Sequence, residues 1–140
     1  MSAKKVLFIG GTGRISWWCA DAAVKKGFDV SILNRGQSGS RPLPEGAHFL
    51  KGNARDPQSI RDAVAGQEFD AVVNFVAYDA KDVAADLDIF RDRIGQYVFI
   101  SSASAYQTPP ARLPVLESTP LHNPVWAYSQ NKIAGEELLV

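Results

Sequence analysis

A chain of 140 residues is long enough for one domain around one buried core, and 15 basic against 15 acidic residues leave it without net charge, which excludes the basic stripe of a nucleic-acid binder and the acidic run of a solvating tail. Its single cysteine, Cys19, permits no intrachain disulfide and makes a reducing compartment the default. The opening MSAKKVLFIG has too short an apolar run for a signal peptide or a membrane span, so a cytoplasmic protein is expected, with neither membrane nor nucleic acid as partner.

Along the chain, short apolar runs alternate with helical patterns. Strands are predicted over residues 5–9, 29–33, 48–51, 71–75 and 97–101, their runs nearly continuous, as for strands covered on both faces. Helices are predicted over 14–26, 57–65, 81–93 and 126–139. Asp56 before Pro57 supplies an N-cap acceptor and a proline at the first helical position; Gly27 and Gly95 suit helix ends. This alternation implies a doubly wound α/β fold, a parallel sheet with right-handed crossovers and strand order 3-2-1-4-5. On the first helix, Ile15, Trp18, Cys19, Ala22 and Ala23 form an apolar face expected in the core, while Trp17 points elsewhere with Ala20 and Val24. The run DVAADLDIFRDR reads as a helix with a solvated charged face.

Two long loops, 36–47 and 103–124, are candidates for function. His48 and His122 lack a second ligand at zinc spacing, so no metal site is expected. The last residues, NKIAGEELLV, carry no helix stop signal. Residues 1–140 are therefore read as one incomplete domain, with later strands and a substrate-binding part missing. The apolar fifth strand would then form an open sheet edge, prone to pairing with another chain in a homo-oligomer.

The first strand runs into Gly10-Gly11-Thr12-Gly13-Arg14-Ile15-Ser16 and then a helix. A helix start presents unpaired N–H groups and the positive end of a dipole, and a pyrophosphate can rest there only where no Cβ blocks it. Gly11 and Gly13 are the positions where side chains must be missing, with Ser16 small enough for the helix to approach the sheet. The turn from Gly10 to Ile15 is thus a candidate dinucleotide cradle. At the end of the second strand, where a carboxylate would bind the ribose of NAD, stand Asn34 and Arg35. A guanidinium there suits a phosphate and favours NADP over NAD, and Arg41 in the following loop is placed to assist.

Near the end, WAYSQNK sets Tyr128 and Lys132 four apart, on one face of a helix. An ammonium beside a phenol favours its ionised form, which suits acid–base work near neutrality. Ser101, Ser102 and Ser104 lie at the carboxyl end of the fifth strand, where open parallel sheets bind ligands, and a serine hydroxyl there could hydrogen-bond a substrate oxygen.

Taken together, Gly10-x-x-Gly13-x-x-Ser16, NFVAY, FISSASAY, ESTPLHNP and Tyr128-x-x-x-Lys132 resemble, in order and spacing, the amino-terminal part of an extended short-chain dehydrogenase/reductase of the NAD-dependent epimerase/dehydratase family. The resemblance covers all 140 residues. It implies a Rossmann fold and an NAD(P)-dependent oxidoreductase or epimerase acting by hydride transfer on a nucleotide sugar or similar hydroxyl or ketone substrate. On it, Tyr128 is the catalytic acid/base, Lys132 assists it and binds the nicotinamide ribose, and Ser102 is the catalytic serine. Phe75, Val76 and Ala77 line the cofactor together with Ser101, and Asn53, followed by Ala54, meets the adenine. Ser16 in place of a third glycine departs from the pattern, as does a third helix without the asparagine many relatives carry. Ser104 stands where the family's sugar dehydratases have an acid, which counts against a dehydratase. The run NRG also occurs in non-catalytic NADP-binding regulators and in chloroplast stem-loop RNA-binding proteins, the alternative reading.

Overall fold

The computed structural model describes residues 2–36 and 41–140; residues 37–40 of the loop predicted over 36–47 lie outside the described residues. The chain divides into two compact units, Met1–Ala77 with Asp86–Ile100, and Tyr78–Ala85 with Ser101–Val140.

The first unit holds a five-stranded sheet, β1 (Lys5–Ile9), β2 (Asp29–Asn34), β3 (His48–Lys51), β4 (Ala71–Asn74) and β5 (Gln96–Phe99), in the expected order β3-β2-β1-β4-β5. Every pairing is parallel, with Val6 opposite both Val30 of β2 and Ala71 of β4. Successive side chains of β1 alternate between two cores. Leu7 and Ile9 join Leu33, Ile60, Val64, Val72 and Phe90 on one face of the sheet; Val6 and Phe8 join Ala20, Val30 and Ile32 on the other. The crossovers are α1 (Ser16–Lys25), α2 (Pro57–Ala63) and α3 (Ala80–Phe90), whose last residues belong to this unit. Asp56 caps α2 as expected, accepting from Gln58 N–H at 3.0 Å.

Helix α1 turns its other face inward. Ser16 and Ala20 are its buried residues, with Trp17, Ala23 and Val24 partly covered, whereas Ile15 and Trp18 are 72% and 58% exposed and Cys19 is exposed. The reason is closeness: a helix that approaches a sheet through serine and alanine leaves no room beneath it for an indole. The two tryptophans instead fasten the segment after β2. Trp17 Nε1 donates to the Pro42 carbonyl at 2.7 Å, and the Arg41 guanidinium lies 5.4 Å and 5.1 Å from the Trp17 and Trp18 rings. Arg41 is thereby stacked against both indole rings.

Gly27 follows α1 with φ +86°, as a helix end requires. Gly95 plays no such part: α3 stops at Phe90, and the left-handed position falls on Asp92, φ 63°, a residue type whose short polar side chain tolerates it. The charged face of α3 is only partly solvated, because Asp86 is buried, 2% exposed.

In the second unit, the segment 103–124 opens with a 3₁₀ turn at Ala103–Ala105. It then folds back on itself through a bridge between Tyr106 and Leu121 before α4 (Ala127–Glu137) begins. The buried residues of α4 are Ser129, Lys132 and Gly135, a stripe at i, i+3 and i+6 that holds no large apolar side chain. Among the described residues, no helix is long and apolar enough to cross a membrane.

Candidate functional site

In the first unit a cleft of about 380 Å³ opens beyond the carboxyl ends of β1 and β2. Gly10, Thr12, Gly13, Asn34, Arg35, Asn53, Ala54 and Val76, all predicted from sequence, line it together with Leu33, Gly52 and Arg55. The three glycines serve different ends. Gly10 has φ +85°, and a Cβ on it would fall 2.6 Å from Val76 Cγ1; the turn and the cleft wall both require its bareness. Gly11, expected to clear the way for a phosphate, instead clears it for Ile32, whose Cγ2 would lie 2.9 Å from an added Cβ. Gly13 is exposed, and an added Cβ would meet only Ser16 Oγ, at 3.0 Å. It is the glycine that leaves an approach open. The Gly13 N–H donates to Ser16 Oγ at 2.8 Å, and no side chain caps α1.

Asn34 ties the end of β2 to this turn: its amide donates to Thr12 Oγ1 at 3.4 Å and its carbonyl accepts from Gly36 N–H at 2.7 Å. Asn53 folds locally, accepting from Arg55 N–H at 3.1 Å. That turn brings in Arg55, a second guanidinium that sequence reasoning passes over because it stands two residues after the predicted asparagine. Other predicted residues go elsewhere. Arg14 and Ile15 are exposed at the start of α1 and do not line the cleft. Phe75 stacks on Phe8, centroids 5.9 Å apart, within a core. Ala77 is buried, its N–H held by Asn74 Oδ1 at 2.8 Å.

Tyr128, Lys132, Ser102 and Ser101 belong to the second unit. The Tyr128 ring lies 5.0 Å from that of Trp126 and 5.7 Å from that of Tyr78, and the Lys132 Nζ sits 5.7 Å from its centroid, one helical turn further on. Lys132 is only 4% exposed. Burial pulls its ammonium below the ordinary lysine range, and the negative charge of Asp82 pulls it partly back. A lysine that holds its proton less tightly when folded costs stability while charged; that cost lifts as pH rises through the folded pKa toward the ordinary 10.5. Asp82, passed over in the sequence as part of a solvated face, is half-buried and accepts from Tyr78 N–H at 2.7 Å. Substituting Asp82→Asn is expected to lower the Lys132 pKa further. Titration of the Lys132 side chain by NMR checks this, and an unchanged midpoint would separate the two residues.

Ser101 does not face open space: its hydroxyl donates to the Glu136 carboxylate. Ser102 Oγ lies 2.8 Å from Ser104 Oγ and accepts from Ser104 N–H at 3.2 Å. Among the described residues, no group of histidine, cysteine or carboxylate side chains could hold a metal ion.

Residues 6–140 match the NAD dependent epimerase/dehydratase family. The chain is 29% identical to a UDP-glucose 4-epimerase of Lactobacillus helveticus over 96% of its length and 46% of that protein's. It is 30% identical to the chloroplast stem-loop binding protein of 41 kDa b of Arabidopsis thaliana, over 75% of the chain and 31% of that protein. Among solved structures, the UDP-glucose 4-epimerase of Bifidobacterium longum in complex with NAD+ and UDP superposes with a TM-score of 0.80 at 22% identity. That match covers 97% of this chain and 48% of that one, and it establishes a shared fold. The chain spans about half the length of the epimerases it matches.

Proposed function

The chain belongs to the NAD dependent epimerase/dehydratase family, and from that premise we propose that it is the cofactor-binding part of an NAD(P)-dependent oxidoreductase or epimerase acting on a nucleotide sugar or a similar hydroxyl or ketone substrate. The observation that carries the catalytic reading is Lys132. An ammonium only 4% exposed, 5.7 Å from the Tyr128 ring centroid and with its pKa drawn down by burial, is the kind of perturbed group that active sites hold.

The glycine turn fits a dinucleotide. Gly13 leaves an approach that a larger side chain would narrow, and Asn34, Arg35, Asn53, Ala54 and Val76 surround the cleft beside it. A bound nicotinamide supplies the hydride acceptor. In this reading the turn holds the pyrophosphate, Asn34 and Arg35 hold the adenosine ribose, and Asn53 and Ala54 meet the adenine. Lys132 holds the nicotinamide ribose, Tyr128 takes the proton of the substrate hydroxyl, and Ser102 hydrogen-bonds the same oxygen. The test is hydride transfer in the intact protein. UDP-glucose, the substrate named for the epimerase relatives, should produce transient reduced nicotinamide; its failure alongside a panel of other nucleotide sugars would defeat the reading.

The glycines give a separate check. Gly10→Ala is expected to destabilise by about 1–3 kcal/mol, because it combines a left-handed backbone with a close contact. Gly13→Ala should leave the urea midpoint nearly unchanged while weakening NAD(P)H binding. Equal binding by that variant would remove Gly13 from the cradle.

The same reading extends to NADP. Arg35 and Arg55 line the cleft, and among the described residues no carboxylate does, an arrangement that attracts a 2′-phosphate rather than a bare hydroxyl. NADPH is expected to bind about tenfold more tightly than NADH, a difference of about 1.4 kcal/mol. A fluorescence titration in which NADH binds as well or better would overturn this. The stem-loop binding relative motivates the non-catalytic alternative. Against it stands a net charge of zero, since RNA phosphates call for clustered cations; salt-sensitive binding of a stem-loop RNA, without hydride transfer, would favour it.

A further inference from the structure

Asn123, in the second unit, is 5% exposed, and all its hydrogen-bonding capacity is in use. Its Oδ1 accepts from the N–H groups of Val125 and Trp126, both at 3.1 Å. Only an oxygen can receive two N–H groups, so the amide can be oriented one way alone. Its Nδ2 therefore has two protons to give, one to the Ser104 carbonyl at 2.9 Å and one to Ser129 Oγ at 3.3 Å.

From there the direction propagates. A serine hydroxyl has one proton. Ser129, wholly buried, accepts from Asn123 and donates to Ser104 Oγ at 2.8 Å. Ser104 Oγ accepts from Ser129 and also lies 2.8 Å from Ser102 Oγ; geometry leaves the donor of that last pair open, and a chain that runs in one direction from Asn123 has Ser104 donating to Ser102. In that direction Ser102 Oγ receives the Ser104 hydroxyl as well as the Ser104 N–H at 3.2 Å, which fills both of its acceptor sites and turns its own proton away from the chain. A role for Ser102 in capping the 3₁₀ turn accounts for the backbone contact alone. It does not account for three hydroxyls in series ending on a buried amide of fixed orientation.

We propose that Asn123, acting through Ser129 and Ser104, polarises this chain so that Ser102 can meet the substrate oxygen only as a hydrogen-bond donor. The proposal rests on the reading that Ser102 meets substrate. Asn123, Ser129 and Ser104 are positioning residues; Ser102 makes the contact. A donor of fixed direction stabilises negative charge as it develops on oxygen, at a ketone being reduced or a hydroxyl losing its proton, without reorganising at the moment of reaction. It gives nothing to a protonated amine, which has no lone pair to accept with. The site is therefore set for carbinol–ketone interconversion and against amine substrates.

Neutron diffraction from deuterium-exchanged crystals of the intact protein tests the polarity without any turnover. The Ser102 deuteron is expected to point away from Ser104, with the Ser104 deuteron lying between the two oxygens; a Ser102 deuteron directed at Ser104 Oγ overturns the proposal. The kinetic arm uses Asn123→Asp. The substituted side chain keeps an acceptor for Val125 and Trp126 but faces both the Ser104 carbonyl and Ser129 Oγ with an acceptor in place of a donor, so each hydroxyl reverses and the Ser102 proton turns inward. With UDP-glucose as probe, kcat should fall about 10²-fold at unchanged KM and NAD(P)H affinity, and recover as pH falls far enough to protonate the introduced carboxylate. Ser129→Ala, which breaks the chain without adding charge, should give a smaller loss in kcat with no such recovery. A wild-type kcat in both variants sinks the proposal. Absence of hydride transfer in the wild type instead counts against the functional reading, and the neutron result then decides the polarity alone.

Discussion

In the intact protein, Tyr128→Phe is expected to lower turnover by about 10²–10⁴-fold, the usual worth of a positioned acid–base group, while NAD(P)H affinity and folding stability stay close to wild type. The substitution removes one oxygen and keeps the ring, and it is the ring that packs, against Trp126 at 5.0 Å and Tyr78 at 5.7 Å. The companion variant, Lys132→Met, keeps a chain of similar length but removes the positive charge on which Asp82 acts, so the urea midpoint is expected to hold or fall modestly. Turnover should collapse, and nicotinamide binding should weaken. If Lys132→Met instead unfolds the chain and Tyr128→Phe turns over normally, the pair is structural and the enzymatic reading fails.

The strand order and the strand–helix alternation were legible because they rest on local physics. Continuous apolar runs mark strands buried on both faces, and Asp56-Pro57 and Gly27 mark helix ends through their own backbone preferences. The cleft was largely legible too, since Gly10, Thr12, Gly13, Asn34, Arg35 and Asn53 all line it. What escaped depends on contacts distant in sequence. Helical periodicity groups Ile15 with Trp18 and Cys19 but cannot say which face meets the sheet. That choice was made by how near α1 lies to the strands, and it went to Ser16 and Ala20. Gly11 looks like a phosphate glycine until Ile32 is seen to occupy the space its Cβ would need. Asp82 and Asp86, four apart in a charged run, read as solvent-facing, yet one bears on Lys132 and the other is buried. The serine-rich stretch points to Ser102, but the hydrogen bonds that reach its neighbour Ser104 run back through Ser129 to Asn123, a loop residue with no motif of its own.

Asp86 leads to the largest stability effect expected in the first unit. Asn74, 2% exposed at the end of β4, accepts through Oδ1 from the N–H groups of Val76 and Ala77, both at 2.8 Å. Its Nδ2 donates to Asp86 Oδ2 at 2.5 Å, and Tyr97 OH donates to that same oxygen at 2.6 Å. A buried carboxylate thus holds the asparagine, and the asparagine holds the two amides that set the cleft wall at Val76. Asn74→Ala strands both N–H groups and removes a donor from Asp86, so a loss of about 3 kcal/mol or more is expected in urea denaturation. Tyr97→Phe removes the hydroxyl that donates to Asp86 and should cost about 0.5–1.5 kcal/mol. Because both donors serve one oxygen, the double variant should depart from additivity, by at least about 0.5 kcal/mol. The two should also differ in binding. Asn74→Ala loosens Val76, which stands so close to Gly10 that an added Cβ there would lie 2.6 Å away, and NAD(P)H affinity should drop with it. Tyr97→Phe leaves the Asn74 carbonyl in place and should bind nearly as the wild type does. Equal stability losses with additive energies, or cofactor binding untouched by Asn74→Ala, would mean that the three residues are separate hydrogen bonds and not one support beneath the cleft.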